Sequence, residues 1–143
     1  RAEAFDACRW LIDMLKRDRN ERVFAIDARA ADGWEHIGST GFHEIDWRCR
    51  HAEFGIMIGN KNYWSQGFGA DSVKTIAGLG FGELNLEKIW LRVFETNPRA
   101  IRCYEKAGFI LEGRLRRHHY QDGHYCDVLI MGLLREEWEA SKT

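Results

Sequence analysis

A helix with a well-marked start and end lies in the second half of this sequence. Its start is set by Asn97 and by Pro98, the only proline of the chain. Asparagine is a favoured N-cap residue, and proline fits the first helical position because it has no N–H to place there. Gly108 suits the left-handed backbone that often ends a helix. The sequence therefore predicts one short helix between Asn97 and Gly108.

Strands are predicted on both sides of this helix and earlier in the chain. Alternating, β-branched or aromatic runs predict six strands, at 22–30, 35–42, 51–58, 88–94, 109–120 and 125–134. Helical spacing of apolar residues adds helices at 2–17 and 70–83. This order predicts an α+β fold in which a mixed, largely antiparallel sheet is flanked by helices. Since 143 residues suit one core, we expect residues 1–143 to form a single domain.

Composition and charge argue against several classes of protein. Lys plus Arg number 21 and Asp plus Glu number 22, so the chain lacks the basic excess typical of nucleic-acid binders. No apolar run approaches the roughly 18 residues of a membrane span. The four cysteines form no C-x-x-C pair and are typical of reduced intracellular thiols. We expect a cytoplasmic protein with neither a nucleic-acid nor a membrane partner.

A glycine-containing loop joins the third predicted strand to the next helix. Its sequence is Trp64-Ser65-Gln66-Gly67-Phe68-Gly69-Ala70. A phosphate needs backbone N–H groups without side chains in the way, together with the positive end of a helix dipole. Gly67 and Gly69 supply the bare backbone, and the helix supplies the dipole. The same pattern also fits a plain strand-to-helix turn.

Asn97 and Tyr104 are seven residues apart, so they share one face of the predicted helix. A tyrosine hydroxyl has an ordinary pKa of about 10 and can donate a proton to a departing thiolate, whose conjugate thiol has a pKa of about 8.5. Tyr104 could equally be a packing residue of the core.

Together the glycine loop, the strand KIWLRVFETN and the helix NPRAIRCYEKAGF resemble the GNAT superfamily of acyl-CoA N-acyltransferases. The resemblance covers about residues 22–138 and is strongest to the branch of ribosomal-protein-alanine/serine and spermidine acetyltransferases. Gly67 and Gly69 match the family's coenzyme loop, but Trp64 stands where arginine or glutamine is expected. The family fold begins with a strand and a helix that would precede Ala2, and a chain that begins at Arg1 is expected to lack both.

The resemblance implies acetyl-CoA as co-substrate and an amine as acceptor, and no metal is expected. It assigns the coenzyme pyrophosphate to the amides of Gln66, Gly67, Phe68, Gly69 and Ala70. The main chain of Met57 and Ile58 would pair with the pantetheine arm, and Asn97 would contact that arm from the other side. Tyr104 would protonate the leaving thiolate.

Two further residues enter the expected chemistry. Glu53, on the strand that leads to the loop, is the candidate base for the attacking amine, against the alternative of a salt-bridged surface carboxylate. Cys103 could be proposed as an acyl-carrying nucleophile, but no histidine is close in sequence and helix geometry should turn it away from Tyr104. We therefore predict direct transfer in a ternary complex.

The remaining polar cluster lies around the last turn, at residues 121–124. His118, His119 and His124 match no standard zinc spacing and are expected to be hairpin groups near a substrate mouth. Arg114, Arg116 and Arg117 are expected to form a solvated strand face, although they also allow a nucleic-acid-binding domain. The other alternative is a catalytically silent acyl-CoA-binding or regulatory module. The acceptor stays open among protein N-terminus, polyamine and other small amines, and a homodimer is compatible with this interpretation.

Overall fold

One seven-stranded sheet organises the part of the chain that the structure describes. The computed structural model describes the backbone of residues 8–11 and the whole of residues 19–142. The strands are β1 (Cys8–Leu11), β2 (Arg22–Ala30), β3 (Gly33–Asp46), β4 (His51–Ile58), β5 (Lys88–Phe94), β6 (Ile110–Gln121) and β7 (His124–Leu134), in the spatial order β1-β2-β3-β4-β5-β7-β6. Only β4 and β5 pair in parallel; the other neighbours are antiparallel. The predicted α+β fold with a largely antiparallel sheet is confirmed.

Three α-helices accompany the sheet within the described residues: α1 (Phe68–Gly82), α2 (Pro98–Lys106) and α3 (Arg135–Ala140). The predicted start of α2 is confirmed, since Asn97 is its N-cap and accepts a hydrogen bond from the Ala100 N–H at 3.2 Å. Gly108 follows with φ 100°, the left-handed conformation expected after a helix. None of the described helices has the length and apolarity needed to cross a membrane.

The predicted helix over residues 2–17 is wrong where the structure describes it. Residues Cys8–Leu11 form strand β1, which pairs antiparallel with β2 from Cys8↔Ala28 to Leu11↔Ala25. Hydrogen bonds to a distant strand thus override a local helical pattern. The rest of that prediction lies outside the described residues. Helix α3, which follows β7, was not predicted.

One face of the sheet packs against α1 and α2 and forms the main core. Its fully buried members include Phe42 on β3, Ile89 and Leu91 on β5, and Ile76 and Phe81 on α1. Because side chains alternate along a strand, residues between these buried positions face the other side of the sheet. On β4, Ala52 and Phe54 belong to the core, so Glu53 lies on the opposite face.

Strands β4 and β5 separate before they end. Their pairing runs only from His51↔Lys88 to Glu53↔Trp90, although β4 continues to Ile58 and β5 to Phe94. Beyond Glu53, the strand edge of β4 that faces β5 is therefore not used by the sheet. An extended ligand could take this place and use the backbone groups that the missing ladder leaves available.

Candidate functional site

A cavity of about 500 Å³ lies where the two strands separate. It is bordered by the end of β4 through Ile56 and Ile58, by the loop after β4, by the start of α1 and by one side of α2. Six of the residues predicted for the site line it: Ile58, Gly67, Gly69, Ala70, Asn97 and Tyr104. Met57, Gln66, Phe68 and Glu53 do not.

The floor of one end of the cavity is the N-terminus of α1. Gly67 is the N-cap, with φ 89°, and no side chain caps this helix. The N–H groups of the next three residues lie in the first turn, where an α-helix offers them no internal carbonyl partner. A β-carbon placed on Gly69 would have no atom within 4 Å, so the space above that residue is open. Bare N–H groups at the positive end of a helix dipole make a suitable cradle for a phosphate.

The side chains of Gln66 and Phe68 hold the loop in shape. Gln66 donates from Nε2 to the Asn62 carbonyl oxygen. Phe68 is buried and meets Tyr63 edge to face at a centroid distance of 5.3 Å. Because both side chains are engaged within the protein, only the backbone N–H groups of Gln66 and Phe68 can bind a ligand. The predicted contact with the pyrophosphate uses these N–H groups.

At the end of β4, Met57 and Ile58 have different surroundings. The Met57 side chain is 70% exposed, whereas Ile58 borders the cavity. The Gly59 N–H donates to the Ile37 carbonyl oxygen of β3 at 3.0 Å. Because backbone groups alternate along a strand, Met57 also turns its N–H and C=O toward β3, and Ile58 turns them toward the gap. Of the two predicted pantetheine partners, Ile58 thus has the suitable backbone direction.

Tyr104 is buried against aromatic rings at the inner side of the cavity. Its ring meets Phe54 at 6.3 Å and Phe109 at 5.9 Å between centroids. Burial raises the pKa of Tyr104 to about 12, because the surroundings disfavour the phenolate. The hydroxyl therefore stays protonated throughout the neutral range and is available as a proton donor. Asn97 borders the same cavity, but its side-chain oxygen is already used to cap α2.

Cys103 borders the cavity as well as Tyr104. Positions 100° apart on a helix can both border a wide cavity. Burial raises the pKa of the Cys103 thiol above its ordinary value, with Lys106 opposing the shift. Among the described residues that line the cavity there is no histidine. The thiol is thus protonated at neutral pH and has no base beside it, which is unsuitable for a nucleophile.

Three cations border the cavity and were missed from the sequence: Arg99, Arg102 and Lys106 of α2. Their spacing of three and four residues places them along one helix face, and this periodicity was the available signal. Arg99 stacks over the Trp64 ring at 4.6 Å and donates from Nη1 to the Ser65 Oγ at 3.2 Å. The cations complement the phosphate groups that the helix N-terminus can hold.

Glu53 lies on the other face of the sheet and forms an ion pair. Its two carboxylate oxygens accept from Nε and Nη2 of Arg92 at 2.8 and 3.2 Å. The Glu53 side chain is 11% exposed and that of Arg92 is 50% exposed. The hydrogen bond to Glu53 raises the pKa of Arg92, and Glu44 adds to the effect. The pair sits beside the last paired position of β4 and β5, where the gap between the strands begins.

The hairpin histidines and arginines make separate contacts. His119 stacks on Phe94 with centroids 4.2 Å apart. Arg114 donates to Glu95 at 2.6 Å and to Asp127 at 2.8 Å, and these bonds raise the pKa of Arg114. Arg114 therefore belongs to a local network of acidic partners on the strand face.

A split parallel strand pair, an uncapped helix N-terminus and a buried tyrosine border one cavity. This arrangement suits an enzyme that binds an extended acyl thioester with phosphate groups. Residues 1–110 match the family model described as the acetyltransferase (GNAT) domain. The chain belongs to the GNAT family, as its sequence motifs indicated, and is an N-acetyltransferase with acetyl-CoA as co-substrate.

Individual relatives agree with this assignment. Spermidine N(1)-acetyltransferase of Vibrio cholerae is 33% identical over 137 residues, which span 95% of this chain and 76% of the relative. An uncharacterized N-acetyltransferase, p20, of Bacillus licheniformis is 32% identical over 128 residues, 90% of this chain and 70% of that protein. A solved structure of spermidine N-acetyltransferase from Vibrio cholerae in complex with CoA and spermine has a TM-score of 0.78 at 33% identity. That similarity covers 86% of this chain and 70% of the solved one.

Proposed function

We propose that this enzyme acetylates a primary amine of a polyamine by direct transfer in a ternary complex. The observation that carries the reaction is that the uncapped N-terminus of α1 and the buried hydroxyl-bearing Tyr104 border one cavity. The polyamine as acceptor rests on the relatives, which include spermidine acetyltransferases at 33% identity. A solved relative holds CoA and spermine together, as a ternary mechanism requires.

In this proposal the coenzyme runs from the start of α1 to Tyr104. The pyrophosphate accepts hydrogen bonds from the amides of residues 66–70, and the cations of α2 neutralise the phosphates. The pantetheine arm lies along β4, next to Asn97, and accepts from the Ile58 N–H, since the Ile58 carbonyl oxygen already accepts from the Trp64 indole. The acetyl carbonyl then lies near the point where β4 and β5 separate.

The proposed transfer is a single displacement at that carbonyl. The neutral amine forms a bond to the acetyl carbon, the carbon–sulfur bond breaks, and Tyr104 donates its proton to the leaving sulfur. Solvent or a side chain takes the proton that the amine loses. A protonated hydroxyl is required for this role, and the raised pKa of Tyr104 supplies it at neutral pH.

Glu53 is the proposed base for the amine. It lies beside the opening between the strands, on the face opposite the coenzyme cavity, so an amine would approach from its own side. Its carboxylate is hydrogen-bonded to Arg92, so proton removal by Glu53 would have to proceed alongside that ion pair. A water molecule held by the carboxylate would serve equally well.

The experiment that tests the acceptor is a panel of amines with a thiol-release readout. Spermidine, an N-terminal alanine peptide and a free amino acid would each be supplied with acetyl-CoA, and the acetylated product identified by mass spectrometry. We expect spermidine to give the largest kcat/KM. A higher value for the peptide would replace the polyamine by a protein N-terminus, and coenzyme binding without release for any amine would favour a silent binding module.

We also propose that the enzyme works as one domain in the cytoplasm, without a nucleic-acid or membrane partner. Cys49, Cys103 and Cys126 are free thiols, which suits a reducing compartment. Arg114 of the basic hairpin is already paired with carboxylates. A homodimer remains compatible with this proposal, and sedimentation of the purified chain would test it.

A further inference from the structure

The turn that joins β3 to β4 brings together three different metal-ligating side chains. Asp46 and His51 are paired across β3 and β4 at the end of the two strands, and Cys49 lies in the turn between them. One ligating atom from each of Asp46, Cys49 and His51 lies within 4.8 Å of the other two. This cluster lies apart from the hairpin histidines and does not line the coenzyme cavity.

Backbone hydrogen bonds hold the turn in this shape. One carboxylate oxygen of Asp46, Oδ1, accepts from the N–H groups of Arg48 at 3.0 Å and Cys49 at 2.8 Å. The Asp46 carbonyl oxygen accepts from the Arg50 N–H at 2.7 Å, and Arg50 has φ 62°. The turn therefore presents Cys49 back toward Asp46 and His51 without a metal, and the Cys49 and Asp46 side chains are hydrogen-bonded to each other.

Two observations on neighbouring groups favour a cation here. The Nδ1 atom of His51 is buried and has no hydrogen-bond partner, which leaves a polar atom that a bound ion and its ligands would satisfy. The guanidinium of Arg50 is directed elsewhere, since it donates to Asn85 at 2.8 and 3.1 Å and pairs with Glu87 at 3.6 Å. Arg50 is thus held by groups outside the cluster.

We propose that Asp46, Cys49 and His51 form a zinc-binding site. Thiolate, imidazole and carboxylate are the ligands that Zn²⁺ takes in proteins, at about 2.3, 2.0–2.1 and 2.0–2.2 Å respectively. Tetrahedral bonds of these lengths separate neighbouring ligand atoms by about 3.5 Å. Because the ligating atoms lie within 4.8 Å of one another, their separations need to shorten by at most about 1.3 Å. Cys49 is exposed and can rotate to make this adjustment. Water would be the fourth ligand, and the Cys49 thiol would release its proton to solvent on binding.

Zinc at this position would join the two strands at the start of β4. His51 is five residues from Ile56 at the cavity, about 16 Å along an extended strand. The ion would therefore stabilise the β3–β4 turn rather than take part in acetyl transfer. An ion that binds only the folded chain stabilises it by an amount that grows with the logarithm of the free ion concentration, so zinc should raise the melting temperature.

The test uses the intact chain, stripped of metal by a chelator, and ZnCl₂ or CoCl₂ as the probe. We expect one zinc per chain by calorimetry and a thiolate charge-transfer band with cobalt. Cys49→Ser should abolish that band and weaken zinc binding at least tenfold, and His51→Ala should weaken it similarly. Cys126→Ser and His118→Ala are the matched controls and should leave both signals unchanged.

Two outcomes would overturn the zinc site. One is the absence of stoichiometric zinc binding to the wild-type chain. The other is binding that Cys49→Ser leaves unchanged but His118→Ala removes, which would assign the metal to the hairpin histidines. Because Cys49 is exposed, its serine variant should fold even if the histidine variant does not. Coenzyme binding should be equal in all four variants, so the acetyltransferase proposal is tested separately.

Discussion

The indole N–H of Trp64 donates a hydrogen bond of 2.7 Å to the carbonyl oxygen of Ile58. This bond ties the loop of residues 64–70 to the end of β4 and occupies a backbone acceptor that faces the gap between the strands. On its ring face Trp64 carries Arg99, 4.6 Å from the ring centroid. The family motif has arginine or glutamine at the position of Trp64. Here Trp64 instead packs against the guanidinium of Arg99, which belongs to α2.

Arg99→Ala should weaken coenzyme A binding about tenfold, or 1.4 kcal/mol, because it removes a positioned guanidinium from the cavity. Calorimetric titration with coenzyme A measures this. Lys74→Ala removes an exposed cation of α1 that does not line the cavity and should leave the dissociation constant unchanged. Equal effects of the two variants would mean that only the net charge of the protein matters.

Gly69→Val should raise the coenzyme dissociation constant at least tenfold. The new side chain would find open space in the protein, so the fold should tolerate it, but it would fill the space above the helix N-terminus. Gly82→Val is the matched control, since a β-carbon there also meets nothing within 4 Å, at the opposite end of α1. A folded Gly69→Val protein with wild-type affinity would move the pyrophosphate away from this helix.

Tyr104→Phe should lower kcat by roughly 10²–10⁴-fold with little change in coenzyme affinity, because it removes only the proton donor. The Tyr104 pKa of about 12 also determines how this residue affects the pH dependence of kcat. A group with a raised pKa keeps its proton until the pH approaches that value, so the wild-type kcat should show no decline from Tyr104 between pH 7 and 10. Near-normal turnover of the variant, measured where chemistry limits the rate, would leave Tyr104 a packing role.

Glu53→Gln should lower kcat for spermidine by about 10–100-fold while coenzyme binding stays unchanged, if the carboxylate removes the amine proton. Arg92→Gln breaks the same ion pair but keeps the carboxylate, so it should retain much more activity. Steady-state kinetics of both variants, with melting temperatures, separates the roles. Small and equal losses in both would show that Glu53 serves only as an ion-pair partner.

Cys103→Ala should retain most activity, because the buried thiol is protonated and lacks a base. Initial-rate plots with varied acetyl-CoA and amine should intersect, as a ternary complex requires. A stoichiometric acetyl adduct after acetyl-CoA alone, absent from Cys103→Ala and discharged by amine, would replace direct transfer by a covalent route.

The sequence predicted those features that are set by a few neighbouring residues, such as a helix start, a strand or a glycine loop. Asn97 and Pro98 start α2 as predicted, and the boundaries of β2, β4 and β5 were predicted correctly. The glycine pattern predicted an open helix N-terminus, and Gly67 and Gly69 provide it.

Features that depend on distant pairing were not predictable in this way. The strand Cys8–Leu11 exists through hydrogen bonds to β2 and carries no strong strand pattern of its own. Arg92, which pairs with Glu53, lies 39 residues away in sequence. The spacing of Arg99, Arg102 and Lys106 was visible in the sequence, but only the folded structure shows that they border the same cavity as the loop of residues 64–70.

Release of free coenzyme A from acetyl-CoA in the presence of spermidine tests the account most directly. We predict that thiol release depends on both substrates, that it matches the acetylated spermidine formed one to one, and that Tyr104→Phe slows it by at least 10²-fold. Tight coenzyme binding with no amine-dependent thiol release, from spermidine or any other amine, would contradict the account.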